Sequence, residues 1–74
     1  MVQAKFLPLN LLERKIGHKV TIYLKTGTQY SGKLLTADTS MNLALNDAYE
    51  QTSRSSRRLG KIMIRGNNIL FIVV

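Results

Sequence analysis

No cysteine occurs among the 74 residues, so disulfides and thiolate metal sites are excluded. A single histidine, His18, among only four carboxylates cannot assemble a set of metal ligands. The same scarcity argues against catalysis and against a cofactor. There is no thiol nucleophile, and no two acidic side chains are placed to divide acid and base roles. Asp47 and Glu50 are close in sequence, but a three-residue step along a strand sends them to opposite faces. Long apolar runs are missing too. The longest, "ILFIVV" from Ile69, has six residues, against the roughly 20 that cross a bilayer. The N-terminal "MVQAKFLPLNLLERK" has neither a continuous apolar core nor a small-residue cleavage site. The expectation is a soluble intracellular protein that is not an enzyme.

What the chain does have is positive charge. Eleven Lys and Arg against four Asp and Glu give +7. A charge this large on so short a chain implies an anionic partner: nucleic acid, an anionic membrane or an acidic protein. The length allows one domain, spanning 1–74, whose modest core calls for a supplement. With disulfides and metals excluded, oligomerisation is the natural one.

Hydrophobic periodicity organises the chain. Pro8 followed by "LNLLERKIG" predicts a short helix over 8–16, with Leu9, Leu12 and Ile16 on one face and Gly17 as its stop. Such a helix must lay its apolar face on something. After Gly17 the period becomes two. In "HKVTIYLK" Val20, Ile22 and Leu24 alternate with polar neighbours, and Thr26-Gly27 makes a tight turn. "TQYSGKLLTAD" is a second strand, bent at its interior Gly32. "NLALNDAYE" is a third, with Leu43 and Leu45 inward. "QTSRSSRR" reads as a polar loop, and "LGKIMIR" with "NNILFIVV" as a final hairpin. One short helix and five strands within 18–74, joined by tight turns, predict a small, strongly bent, all-β barrel. In the last strand Ile69, Phe71 and Val73 alternate with Leu70, Ile72 and Val74, so both faces are apolar. An edge strand of that kind invites pairing with a second copy. If each copy offers its last strand to the fourth strand of its neighbour, the contact is head-to-tail and closes into a ring.

Two polar segments sit at strand ends. "DTSMN" runs from Asp38 to Asn42, and "RGNN" from Arg65 to Asn68. In a barrel of this topology both lie at the same end. Asn42 offers an amide that matches the donor–acceptor edge of a base, and the Arg65 guanidinium can stack on a base face while attracting phosphate. Gly66 lets the backbone approach closely. Stacking together with hydrogen bonds to exposed base edges is how single-stranded RNA is read. Met41 reads first as a packing residue and Ser40 as a small loop residue, and both join Asp38, Asn42, Arg65, Gly66 and Asn67 as candidates for RNA contact. Tyr23, Tyr30 and Tyr49 read as packing or interface residues, and Arg54, Arg57 and Arg58 as a solvated basic loop able to touch phosphate on the far face.

The spacing of Gly27, Gly32 and Asp38-x-x-Met41-Asn42, followed by "KIMIRGNN", resembles the two motifs of the Sm/like-Sm (LSm) family, archaeal type. The resemblance runs from Pro8 to Val74. It implies an Sm-fold, SH3-like barrel of five strands capped by a helix. It also implies a homo-oligomeric ring of six to eight subunits, seven first among them, that binds U-rich single-stranded RNA at its pore. Such a ring acts as an RNA chaperone or ribonucleoprotein core. Carried over by position, Asn42 bonds the uracil edge, Arg65 stacks on it, Asp38 braces the first loop, and Gly66 and Asn67 shape the second. Two residues depart from the pattern. Ser40 stands where many relatives have a histidine or aromatic, leaving a one-sided stack, and a stack is worth about 1–3 kcal/mol per base. Asn67 replaces an aspartate common in the archaeal branch, which removes a negative charge. The chain's compactness favours the archaeal type, with a cytoplasmic location. "SRRLGKIMIRGNNI" also resembles eukaryotic spliceosomal subunits, so a mixed ring in splicing or RNA decay, nuclear or cytoplasmic, is the alternative. A small-barrel adaptor for acidic proteins is the rival from another class.

Overall fold

The computed structural model describes residues 2–3, in backbone only, and 8–73. A short helix α1 (Leu9–Glu13) begins after Pro8, whose carbonyl accepts from the N–H groups of Leu11 and Leu12 at 3.1 and 3.2 Å. Leu12 is its one fully buried side chain. The helix is shorter than the expected 8–16. Beyond Arg14, Lys15 and Ile16 donate three residues back, to Leu12 and Glu13, and the coil tightens into turns. Gly17, at φ 89°, then supplies the left-handed exit, and its N–H docks on the Leu34 carbonyl of the sheet at 2.8 Å. Ile16 is turned outward by this exit and is exposed, contrary to its expected place beside Leu9 and Leu12.

The strands are β1 (Val2–Gln3), β2 (Lys19–Leu24), β3 (Gln29–Ala37), β4 (Leu43–Gln51), β5 (Ser56–Arg58), β6 (Ile62–Ile64) and β7 (Ile69–Val73). They form one antiparallel sheet in the order β1-β7-β2-β3-β4-β5, with β6 also on β4. The β2–β3 turn is the expected one: Gly27 has φ 92°, and Leu24 N–H bonds the Thr28 carbonyl at 2.9 Å.

The bend comes from a bulge. Ser31 pairs with Tyr49 but Lys33 pairs with Asn46, so Gly32 alone faces both Asp47 and Ala48. Asp47 takes up the extra residue at φ 50°. A Cβ at Gly32 would lie 2.8 Å from the Asn46 carbonyl oxygen and 3.1 Å from Ala48 Cα, so only glycine lets the strands approach this closely. A strand that was not expected precedes the expected fourth, so two short pieces, β5 and β6, run along β4 in succession. The first pairs with Tyr49–Gln51 and the second with Leu43–Leu45. Ala48 bridges the gap, donating to Gly60 at 3.1 Å and accepting from Leu59 at 2.8 Å. The segment expected as a polar loop is therefore partly strand. Only residues 52–55 turn, closed by Thr52 N–H to the Ser55 carbonyl at 2.8 Å. The hairpin is clamped at Glu50, which accepts from the Tyr30 hydroxyl at 2.6 Å and from Arg57 Nε at 2.7 Å.

The core gathers Leu12, Val20, Ile22, Leu34, Leu43, Leu45, Ala48, Ile64, Ile69 and Ile72. Each large aliphatic among them contributes about 1.5–3 kcal/mol by leaving water. Strict alternation fails in β7. Tyr23 pairs with Phe71 and Leu24 with Ile69, which skips Leu70. The bulge brings Ile69 and Ile72 to the same buried side and leaves Leu70 45% exposed. Phe71 stacks on Tyr23 instead, centroids 4.7 Å apart. Val74, expected opposite Phe71, lies outside the described residues. The outer edge of β7 meets β1, with Val2 opposite Ile72 and Gln3 opposite Phe71, a pairing that no residue pattern signals.

Candidate nucleic-acid interface

Antiparallel pairing of β4 with β3 and with β6 carries the loops after β3 and after β6 to one end of the sheet. β6 and β7 do not pair as the expected final hairpin, since β7 crosses to β2. The first follows β3. Asp38 N–H bonds the Asn42 carbonyl at 3.2 Å and Met41 N–H the Asp38 carbonyl at 2.9 Å, closing a tight loop in which Met41 is left-handed at φ 62°. Asp38 braces it from within. Its Oδ1 accepts from the backbone N–H groups of Ser40 and Asn42, each at 2.9 Å, and its Oδ2 from Asn42 Nδ2 at 3.1 Å. These bonds, the Asn42 N–H foremost, hold the Asp38 carboxyl below the usual aspartate range, against a smaller opposing effect of burial.

The second loop follows β6. Arg65 is extended, at φ −77° and ψ 135°, and opens a short 3-10 turn, Gly66–Asn68. Asn68 N–H returns to the Arg65 carbonyl at 3.1 Å. Here the loops join: Gly66 N–H donates to Asn42 Oδ1 at 2.9 Å. Contact is so close that a Cβ on Gly66 would overlap the Ser40 carbonyl oxygen and lie 2.8 Å from the Met41 carbonyl carbon.

The Asn42 amide is thus fixed from both ends. A carboxylate can only accept and a backbone N–H can only donate, so Nδ2 must face Asp38 and Oδ1 must face Gly66. One N–H and one lone pair of this amide remain available. Asn42 lines a groove of about 750 Å³ together with Asp38, Ser40, Met63, Ile64, Arg65 and Asn67. Five of the seven expected site residues line it. The other two support it: Met41 is half-buried against the core, and Gly66 contributes its backbone. Met63 and Ile64 were not singled out from the sequence. The alternation in Ile62-Met63-Ile64 carried the signal, since it turns Met63 outward, 79% exposed. Arg65 is exposed, and among the described residues the one ion pair is Glu50–Arg57, so its guanidinium is free to meet a ligand.

A family model described as the LSM domain matches residues 10–74. The chain belongs to the LSM domain family. Small nuclear ribonucleoprotein Sm D3 of Saccharomyces cerevisiae is 38% identical over 69 residues, covering 92% of this chain and 68% of that protein. A putative snRNP Sm-like protein of Thermococcus sibiricus is 36% identical over 66 residues, 88% of this chain and 87% of that one. Among solved structures, the Pyrococcus abyssii Sm protein in complex with a uridine heptamer has a TM-score of 0.83 at 35% identity, covering 90% of this chain and 96% of that chain. A heptameric archaeal Sm protein has a TM-score of 0.80 at 33% identity, covering 86% and 94%. The LSM chain therefore has the bent Sm fold with its short N-terminal helix, as the two motifs imply.

Proposed function

We propose that this LSM chain forms a ring of identical subunits that binds U-rich single-stranded RNA through the groove between its two loops, and serves as an RNA chaperone or ribonucleoprotein core. It works by binding and carries out no reaction. The archaeal relatives are the basis for a sevenfold ring and for RNA as ligand, since one is a heptamer and another holds a uridine heptamer. A single domain accounts for the whole chain, in a cytoplasmic location if the source is archaeal.

The observation that supports this reading is the fixed amide of Asn42. Its free N–H matches uracil O4, and its free lone pair matches the uracil N3–H. A cytosine in the same pose would set donor against donor and acceptor against acceptor. The amide cannot flip to suit it without losing both Asp38 and Gly66. Arg65 stacks on the base and holds the pose, Ser40 leaves the opposite face open, and Asn67 adds a polar edge without negative charge.

Binding of oligo-U, oligo-A and oligo-C at two salt concentrations tests the reading. Oligo-U is expected to bind tightest. The preference vanishes in Asn42→Ala, whereas Arg65→Ala weakens all three. Equal affinity for the three homopolymers would leave only phosphate attraction, which fades steeply with salt. A second reading has its own support: identity to yeast Sm D3 matches that to the archaeal relatives, as expected for a subunit of a mixed ring. Native mass spectrometry of the chain purified alone separates the two. A closed ring supports identical subunits, and a monomer or dimer supports the mixed ring.

A further inference from the structure

A second groove, of about 550 Å³, crosses the outward face of the sheet at the bulge, lined by Lys19, Ser31, Gly32, Lys33, Asp47, Tyr49 and Arg58. Its side chains come from four adjacent strands in register. Lys19 pairs with Lys33, Ser31 with Tyr49, and Tyr49 with Arg58. Like charges set directly opposite on a sheet repel, and neither Lys19 nor Lys33 is in an ion pair among the described residues. Among the described residues the only ion pair is Glu50–Arg57. Arg57 is thereby engaged, while Lys19, Lys33 and Arg58 face solvent with Asp47 as the one carboxylate between them. Tyr49 stands in the same groove, 40% exposed as a residue, and its hydroxyl donates to Ser56 Oγ at 2.9 Å, which fixes the ring's direction. A row of three cations with a single carboxylate among them, beside a held, exposed aromatic side chain, is the combination that follows a single strand: cations for phosphates, the ring for a base face.

We propose that this groove is a second RNA-binding track, blind to base identity, which holds the part of the strand that leaves the uracil-reading groove. The proposal rests on the RNA reading above. The two grooves are joined by β4, which starts next to Asn42 and reaches Tyr49 seven residues later, roughly 20 Å of strand. A strand held in the first groove therefore has to be longer than its base-reading segment to engage the second. Asp47 sits inside the track as a repulsive charge and keeps its affinity moderate. The source is RNA and not an acidic protein, because an acidic peptide would use the cations and leave the fixed ring without a role.

The test compares a uridine heptamer with an oligo-U several times longer, using the assembled protein. In Lys19→Gln/Lys33→Gln/Arg58→Gln the heptamer is expected to bind as in the wild type. The long strand should lose tenfold or more at low salt, with a log affinity–log salt slope shallower by about 2, since each single-strand phosphate contact contributes about 0.7. Tyr49→Leu should weaken only the long strand, several-fold. Asp47→Asn should tighten only the long strand. All the substituted side chains line an open surface groove, and native mass spectrometry confirms that each variant assembles as before. Equal losses on both lengths, or no loss on either, would overturn the track. So would competition by polyglutamate as effective as competition by oligo-A of the same length. Failure of the uracil reading is a separate outcome, visible as a heptamer that binds no better in U than in C whatever the long strand does.

Discussion

At the scale of single residues, the site depends on Asp38, Asn42 and Gly66 acting as one unit. Gly66→Ala places a methyl group against the Ser40 and Met41 backbone, which cannot move aside as a side-chain tip would. The expected cost is about 1–3 kcal/mol, read as a lower urea midpoint, with uracil preference lost even where the protein stays folded. Acid should act through Asp38. Its carboxyl is held below the usual range in the fold, so its contribution is complete above the ordinary aspartate pKa and is lost as the pH falls through the lowered value. Uracil affinity measured down the acid range should therefore fall later than for an ordinary aspartate. The residue types at this site were legible in the sequence, because an amide, a guanidinium and a glycine each have a recognisable chemistry. The bond that unites them was not. It spans 24 residues, from Gly66 to Asn42, and nothing local to either marks it.

At the scale of elements, the same limit recurs. Period-two alternation identified β2, β3 and β4, and Gly32 marked the bend. It could not show that Asp47 would absorb an extra residue, because a bulge is defined by the strand opposite. For the same reason the skipped Leu70 and the additional strand β5 were hidden. The helix was overextended because its apolar spacing continues to Ile16 while the backbone has already tightened at Arg14. Gly32→Ala should collide with Asn46 and Ala48 and cost about 1–3 kcal/mol, with the sheet's thermal midpoint as readout. The β4–β5 hairpin has its own acid response. The Tyr30 hydroxyl, and after it Arg57, hold the Glu50 carboxyl below its usual value. Its stabilising share is complete above the ordinary glutamate pKa and is lost as pH falls through the lowered one. Glu50→Gln should flatten that part of the stability–pH curve, and an unchanged curve would mean the clamp does not stabilise the hairpin.

At the scale of the whole molecule, charge and edge strands set the expected behaviour. An excess of seven positive charges draws a polyanion to the surface without choosing its sequence. Choice is left to the Asn42 amide, which Asp38 and Gly66 hold against flipping. Among the described residues β1 pairs with β7 at Ile72 and Phe71, on the outer edge that the expected head-to-tail contact between copies would use. The measurement that bears most directly on the central claim is the ratio of oligo-U to oligo-C affinity, taken for the wild type and for Asp38→Asn. An asparagine at 38 can donate or accept, so it removes one of the two constraints on the Asn42 amide and leaves only the Gly66 N–H to hold its orientation. The expected result is a clear preference for U that shrinks toward parity in the variant, with total affinity far less affected. A wild type indifferent to the base, or a variant that keeps the full preference, would contradict it.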